Sequence, residues 1–154
     1  MQKKKYSFIF SLIYLLCTVM PANCDEWVIL EPASKISTAN ESLQEGATVD
    51  FVVKQDVLVN NKILINKGTP VTGIVTYISP NSWGGEPAKI TIEQLETFDF
   101  AEKPVAIKGS IYKSGNSHYA AVLCDLFYWT IRGGEVVFKP NKDEFVLKVK
   151  MGSL

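Results

Sequence analysis

A two-residue alternation of apolar and other side chains recurs from Thr48 to the C-terminal end, and it limits the folds open to this chain. In the last and cleanest example, Phe145, Leu147, Val149 and Met151 share one face, while charged residues occupy most of the other. Because successive side chains of a strand point to opposite faces, this pattern predicts half-buried β-strands.

Turn signals separate the alternating runs. The runs 57–59 and 62–65 flank the pair Asn60-Asn61, which predicts a hairpin because Asn tolerates the positive φ of such a turn. Lys67-Gly68-Thr69-Pro70 predicts a second turn, with positive φ at Gly68 and with Pro70 as the first residue of the next strand.

The next alternation, 71–78, predicts a longer strand. Its inward face would carry Val71, Gly73, Val75 and Tyr77. A glycine in the middle of a strand indicates a bend, a bulge or a close approach of another backbone. Two further alternations follow, with inward positions Ala88, Ile90 and Ile92 in the first, and Val105, Ile107, Gly109 and Ile111 in the second.

One stretch, 119–131, favours a short helix-like segment, since Leu123, Leu126 and Phe127 fall at helical spacing. Residues 25–47 show little periodicity after a short apolar start, and they are expected to form an N-terminal irregular segment. Together the runs predict an all-β fold, a small antiparallel β-barrel or sandwich of about seven or eight strands, as one domain over residues 48–151.

The N-terminal residues resemble a targeting segment. Lysines at positions 3–5 precede the uncharged run 6–20, which is followed by small residues, and this order is typical of a secretory signal peptide over residues 1–24. Cleavage after Ala22 and cleavage after Cys24 both stay open. The alternatives are an uncleaved membrane anchor and lipidation of Cys24. The expected location is the periplasm or the outer-membrane surface.

The charge balance conceals an asymmetry. The chain has 16 Lys+Arg and 16 Asp+Glu, but removal of residues 1–24 takes away three lysines and leaves 13 basic against 16 acidic residues. The mature domain would carry a net charge of −3, which argues against nucleic acid and anionic lipid as partners. No integral membrane span is expected in the mature chain, and the oligomeric state stays open.

Catalytic chemistry has few candidate residues. Removal of the signal peptide would leave at most two Cys and one His, too few for the common four-ligand zinc sites, so no metal or cofactor site is predicted. A Cys124–His118 pair is disfavoured because an apolar environment opposes a thiolate. Cys124 is interpreted as a buried small residue, with a Cys24–Cys124 disulfide as the alternative. The scattered carboxylates are expected on a solvated surface: Glu93, Glu96, Asp99 and Glu102. The chain is therefore expected not to be an enzyme.

Aromatic residues supply the candidate binding surface. Trp83 lies in a Gly- and Pro-rich loop, where the sequence implies no core role for it. Tyr119, Tyr128 and Trp129 belong to the helix-like stretch, and they could line a pocket or a partner surface. The alternative is that this stretch covers one end of the barrel with its aromatic side chains.

The order of these motifs resembles a widespread, mostly uncharacterised family of exported bacterial β-barrel domains. The resemblance covers about residues 43–150. The segments that carry it are Gly46, 49–53, 56–59, the K-G-T-P-V-x-G-x-V signature within 65–75, Gly84-Gly85, 88–95 and 134–149. A looser similarity is to the barrel domain of the outer-membrane subunit of type IV secretion and conjugation channels, which also has a K-G-T/S turn.

The leading hypothesis is a non-catalytic binding or assembly module in the bacterial cell envelope, acting on another envelope protein through the loop of Trp83 or the aromatic stretch. The alternative function is a carrier of a small lipid or metabolite, with a pocket at the barrel mouth.

Overall fold

A computed structural model describes residues 26–40, 43–117 and 131–150, and these residues form eleven β-strands and no helix. The strands are β1 (Glu26–Pro32), β2 (Ile36–Ser37), β3 (Thr48–Val53), β4 (Val57–Val59), β5 (Lys62–Ile65), β6 (Pro70–Ser79), β7 (Lys89–Phe98), β8 (Pro104–Lys108), β9 (Ile111–Ser114), β10 (Val137–Phe138) and β11 (Phe145–Val149).

Six of these strands close a barrel. They follow one another in the order β6-β3-β1-β11-β8-β7, and β7 pairs again with β6. All of these pairings are antiparallel. Closure leaves no free edge along the paired lengths, which removes the aggregation risk of an open sheet. The predicted small antiparallel barrel is confirmed.

Strand β1 corrects the expectation of an irregular segment over residues 25–47. Residues 26–32 form a barrel strand between β3 and β11, in which Leu30 is paired with Val53 on one side and with Phe145 on the other. The apolar part of this strand, residues 27–30, is short, and both of its faces are apolar because its outward positions are Trp27 and Ile29. The alternation that identified the other strands is therefore absent.

The two ends of the barrel differ. At one, here called the hairpin end, β4 and β5 form the predicted hairpin, and Asn60 and Asn61 have φ values of 50° and 61°. Gly68, with φ of 83°, makes the second predicted turn, and its N–H donates to the carbonyl of Val53. The other end, here called the loop end, carries the β6–β7 connection.

Side chains fill the barrel. The inward positions include Val28, Leu30, Phe51, Val53, Val71, Val75, Ile90, Ile92, Leu95, Ile107 and Val149, each at most 5% exposed. Six strands enclose a narrow interior that side chains of this size occupy, as they do even in eight-stranded barrels. The one buried polar residue of the described chain, Thr97, donates its hydroxyl to the carbonyl of Pro70 at 2.8 Å.

A first irregularity bends β6 and β7 around Gly73. The register shifts between Thr72 and Ile74, and Gln94 of β7 takes a φ of 52°. A Cβ on Gly73 would lie 2.7 Å from Ile92 Cγ2 and 2.8 Å from Leu95 Cδ2, so a larger residue here would displace these side chains. The predicted bulge or close approach at Gly73 is confirmed.

A second irregularity overturns the expected orientation of Tyr77. Val75 pairs with Ile92 and Tyr77 with Thr91, so Thr76 is an extra residue on β6. An extra residue reverses the side-chain alternation beyond it. Tyr77, expected inside with Val71, Gly73 and Val75, points outward and is 46% exposed.

The alternation expected to run continuously from Val105 to Ile111 is divided into β8 and β9. Gly109 interrupts it with a φ of 123°, and a Cβ there would lie 2.8 Å from Leu147 Cδ2. Both segments pair with β7, through Leu95–Ile107 and Ile92–Ile111. The inward residues keep their alternation across a local break in the backbone.

The small sheet of β2 and β10 packs beside the barrel near β9. Phe138 of β10 is fully buried, and its ring meets that of Phe145 edge-on at 5.5 Å. Lys113 of β9 donates to the carbonyl of Val137 and to Asp143, which ties this sheet and the chain before β11 to the barrel.

Some expectations fall outside the described residues. They concern the signal peptide, the helix-like stretch over 119–130, the environment of Cys24 and Cys124, and Met151. Within residues 26–40, 43–117 and 131–150, no helix has the length and apolar composition needed to cross a membrane.

Candidate functional site

At the loop end, three backbone segments pack directly on one another: residues 81–88, 115–116 and 131–134, here called the loop-end cluster. The N–H groups of Gly84 and Gly85 both donate to the carbonyl of Ile131, at 2.9 and 3.1 Å. Gly133 N–H donates to the carbonyl of Ser82, and Asn81 Nδ2 donates to the carbonyl of Gly133. The loop between β6 and β7 is thereby hydrogen-bonded to a distant part of the chain.

Glycines make this packing possible. Gly84 and Gly85 have φ values of 82° and 78°, a region that disfavours other residues. At Gly133, a Cβ would lie 1.8 Å from the carbonyl oxygen of Glu86, and at Gly115 it would lie 2.1 Å from that of Gly134. The backbones approach too closely for side chains between them.

Trp83 is exposed at this rigid position. It forms an isolated antiparallel bridge with Arg132, and the residue is 57% exposed. The Arg132 guanidinium carbon lies 5.2 Å from the ring centroid, within the range of a cation–π contact. The loop-end cluster therefore presents to solvent a Trp ring with an Arg guanidinium lying over one of its faces.

An ion pair lies beside the same end of the barrel. Asp143 accepts hydrogen bonds from Lys113 Nζ and from the N–H of Lys139, both at 2.6 Å. Partial burial by itself raises the pKa of the Asp143 carboxyl, but the hydrogen bonds from Lys113 and Lys139 outweigh it, and the pKa lies below its ordinary value. This carboxylate therefore joins strand β9, the turn after β10 and the chain before β11.

Of the four predicted surface aromatics, the structure describes Trp83 alone. Tyr119, Tyr128 and Trp129 lie outside the described residues, so whether they join Trp83 stays a prediction. Arg132 was missed by the sequence analysis. Its sequence signal is only its place before Gly133-Gly134, and the contact with Trp83 depends on a backbone bridge between residues 49 positions apart.

The candidates for other chemistry are distributed as follows. Cys24, Cys124 and His118 lie outside the described residues. In the part of the chain that the structure describes, no group of three or more His, Cys, Asp or Glu could hold a metal ion. Asp99 accepts from the N–H groups of Ala101 and Lys103, both at 2.8 Å, and so holds the β7–β8 turn. Glu93, Glu96 and Glu102 are exposed.

A shallow cleft lies between residues 34–40 and 43 on one side and strand β3 on the other. Its volume is about 210 Å³, and its lining is mainly polar and includes Lys35, Asn40 and Asp50. Pockets for small ligands usually enclose roughly 300–1,000 Å³ with mostly apolar walls. The cleft thus has the size and polarity of a surface groove.

Comparisons with protein-family models, with curated proteins and with solved structures found no match to this chain. The fold therefore defines its class: a small, closed, six-stranded antiparallel barrel with additional strands. The suspected membership of the exported bacterial barrel family stays a prediction, and its expected fold agrees with the observed one.

Proposed function

We propose that this barrel is a non-catalytic binding or assembly module of the bacterial cell envelope, and that it binds another envelope protein through Trp83 and Arg132. The observation that carries the proposal is the exposed Trp83 ring, held with Arg132 on the loop-end cluster. Trp and Arg are enriched among the few residues that dominate protein–protein binding energy. A rigid backbone beneath them lowers the entropy cost of binding.

The first experiment identifies the partner by cross-linking in cells. A photo-reactive amino acid replaces Ser82, whose side chain is exposed next to Trp83, and in a matched strain it replaces Leu58 at the hairpin end. A discrete cross-linked protein from position 82 that is absent from position 58 supports the proposal. Identical products from both positions, or none from position 82, contradict it.

The second experiment measures binding of the identified partner to the full chain by calorimetry. Truncating a central Trp costs about 2 kcal/mol or more, so Trp83→Ala should weaken binding about 30-fold. Trp27→Ala is the matched control, because Trp27 is 56% exposed and also has a cation within 5.0 Å, from Lys148. Loss of binding in Trp27→Ala, with Trp83→Ala unchanged, would move the site away from the loop end.

Export is part of the proposal. Cell fractionation of a C-terminally tagged chain should place it in the periplasm or with the outer membrane, and mass spectrometry of its N-terminus should separate cleavage after Ala22, cleavage after Cys24 and lipidation of Cys24. Cytoplasmic recovery of the intact chain contradicts export.

The alternative function is a small-ligand carrier. Its support in the described residues is the cleft beside β3, which is small and polar. A lipid or metabolite that raises the melting temperature of the full chain would favour a carrier, and a flat screen would count against it.

A further inference from the structure

The bulge at Thr76 re-orients an aromatic side chain. Without it, Tyr77 would continue the inward series of Val71 and Val75, but the extra residue turns it to the outer face of the barrel. Bulges are recurrent devices for re-aiming a side chain near functional sites. The exposed Tyr77 therefore requires an explanation beyond core packing.

Tyr77 belongs to a row of three side chains across three strands. Tyr77 of β6 pairs with Thr91 of β7, and Thr91 pairs with Tyr112 of β9, so all three share the outer face. The tyrosines are 46% and 59% exposed. With neighbouring strands about 4.8 Å apart, the two tyrosines stand about 10 Å apart on either side of the threonine.

A second, polar row lies next to the first, toward the loop end. Ser79 pairs with Lys89, and Lys89 pairs with Ser114. Lys89 is the only charged residue of the two rows. It takes part in neither of the two ion pairs found among the described residues, which are formed by Lys54 and Lys113. On the other side of Thr91, two positions along β7, Glu93 is exposed. The face has a cation at one side and an anion at the other, and a second carboxylate, that of Glu45, lies at the β6 edge, 3.5 Å from the N atom of Ile78.

We infer that this face, Tyr77, Thr91 and Tyr112 with Ser79, Lys89 and Ser114, binds a polysaccharide strand that carries carboxylates. The flat face of a sugar ring presents C–H bonds, which the electron-rich face of a tyrosine ring attracts. Two rings about 10 Å apart match roughly one disaccharide of an extended glycan. Serine, threonine and lysine supply hydrogen bonds to hydroxyl groups between and beside the rings.

The charged residues of this face favour an acidic glycan and determine on which side of the tyrosine row its carboxylate lies. Lys89 attracts a carboxylate, and Glu93 repels one, so the substituent lies on the Lys89 side of the tyrosine row. This surface consists of outward strand positions and is independent of the protein partner proposed for Trp83. The domain would hold a glycan with one face and a protein with its loop end.

The test is co-sedimentation of the full chain with two insoluble polymers. Protein-free peptidoglycan sacculi have a β-linked amino-sugar backbone whose attached peptide stems carry carboxylates, and chitin has a neutral backbone of the same type. The chain should sediment with sacculi more strongly than with chitin, and added salt should reduce the difference. Equal binding to both polymers, or binding to neither, overturns the inference.

Variants locate the surface. The double change Tyr77→Ala/Tyr112→Ala should weaken binding to sacculi at least about 10-fold, and Tyr77→Phe/Tyr112→Phe should retain most of it, because the rings remain. Lys89→Gln should weaken binding to sacculi and leave binding to chitin unchanged, whereas Glu93→Gln should not weaken either. Trp27→Ala is the control for non-specific loss of an exposed aromatic.

Urea unfolding of each variant checks that the barrel is intact, since exposed substitutions usually change stability by no more than about 0.5 kcal/mol. If the folded double alanine variant binds sacculi as the unchanged chain does, the surface assignment is wrong. The partner experiments with Trp83→Ala use a different probe and different variants, so the two proposals fail separately.

Discussion

The two ends of the barrel both expose large apolar side chains, but for different reasons. At the hairpin end, Leu58 and Ile63 are directly opposite each other on β4 and β5, so each covers part of the other. At the loop end, the residue opposite Trp83 is Arg132 rather than an apolar residue, and four hydrogen bonds described above, two of which form the Trp83–Arg132 bridge, hold the backbone of the loop-end cluster. Exposure of an apolar side chain is therefore not enough to identify a binding site. The hydrogen-bonded backbone beneath Trp83 is what distinguishes it from Leu58 and Ile63.

The largest effect should come from the buried face of the hairpin. Ile65 is fully buried, and Ile63, on the same strand, is 44% exposed. Ile65→Ala should lower the free energy of unfolding by about 2–5 kcal/mol, because it removes core contacts and leaves a cavity. Ile63→Ala should cost less than about 1 kcal/mol.

Urea denaturation of the two isoleucine variants measures this difference. Similar losses from both would mean that the outer face of the hairpin is covered in solution, and the contrast between the two ends would no longer hold.

The next effect tests the close packing at the loop end. Gly133→Ala would bring a Cβ to 1.8 Å from the Glu86 carbonyl oxygen, so the loop must move, at a cost of about 2–3 kcal/mol. Gly68→Ala at the hairpin end meets no atom within 4 Å and incurs only the strain of its φ of 83°, about 1 kcal/mol.

Hydrogen exchange gives this pair of variants a local signal. The Gly84 and Gly85 amides, which bond to Ile131, should exchange faster in Gly133→Ala and not in Gly68→Ala. Unchanged exchange at both amides in Gly133→Ala would show that the loop does not depend on this contact.

The smallest effect concerns the ion pairs. At pH 7, Asp143→Asn should cost about 1 kcal/mol, because Lys113 loses a charged partner in a partly exposed site. The folded-state pKa of Asp143 is below its ordinary value of 3.8. The contribution is therefore fully present above that ordinary value and is lost as the pH falls through the folded-state pKa.

Unfolding curves at pH 7 and near pH 2.5 should show the difference between Asp143→Asn and the unchanged chain shrinking at low pH. Glu144→Gln is the matched control. It breaks the exposed Lys54–Glu144 pair, and its effect should fall within error because solvent screens such pairs. A difference for Asp143→Asn that is constant with pH would contradict the assigned role.

Much of the barrel could be predicted from local pattern, and the exceptions have physical causes. The Asn60-Asn61 hairpin and the turn at Gly68 follow from backbone preferences that single residues carry. Strand β1 was missed because both of its faces are apolar. Tyr77 was placed inside because an alternation continues in sequence even where one extra residue reverses it in space.

The β7 sequence did contain a warning of irregularity. Its buried positions are Ile90, Ile92, Leu95 and Thr97, and the interval of three between Ile92 and Leu95 breaks the period of two. Such a break marks a bulge, and here Gln94 adopts positive φ to make it. A closer count of that period could have located the irregularity near Gly73, although not the one at Thr76.

The candidate sites were predictable to a lesser degree. Trp83 could be predicted because an aromatic residue in a Gly- and Pro-rich loop has no core neighbours in sequence. Arg132, Tyr112 and the outward position of Tyr77 could not, since each depends on which strand or loop lies beside it.

Local sequence patterns were enough to predict most of the barrel strands, two of their turns and the all-β class of this protein, because alternation and positive-φ residues act over a few positions. The three-dimensional fold was needed to show which strands close the barrel, which glycines lie against a neighbouring backbone and which aromatic rings share a face. These properties depend on pairings between residues far apart in the chain, and nothing in the local preferences of either partner specifies them.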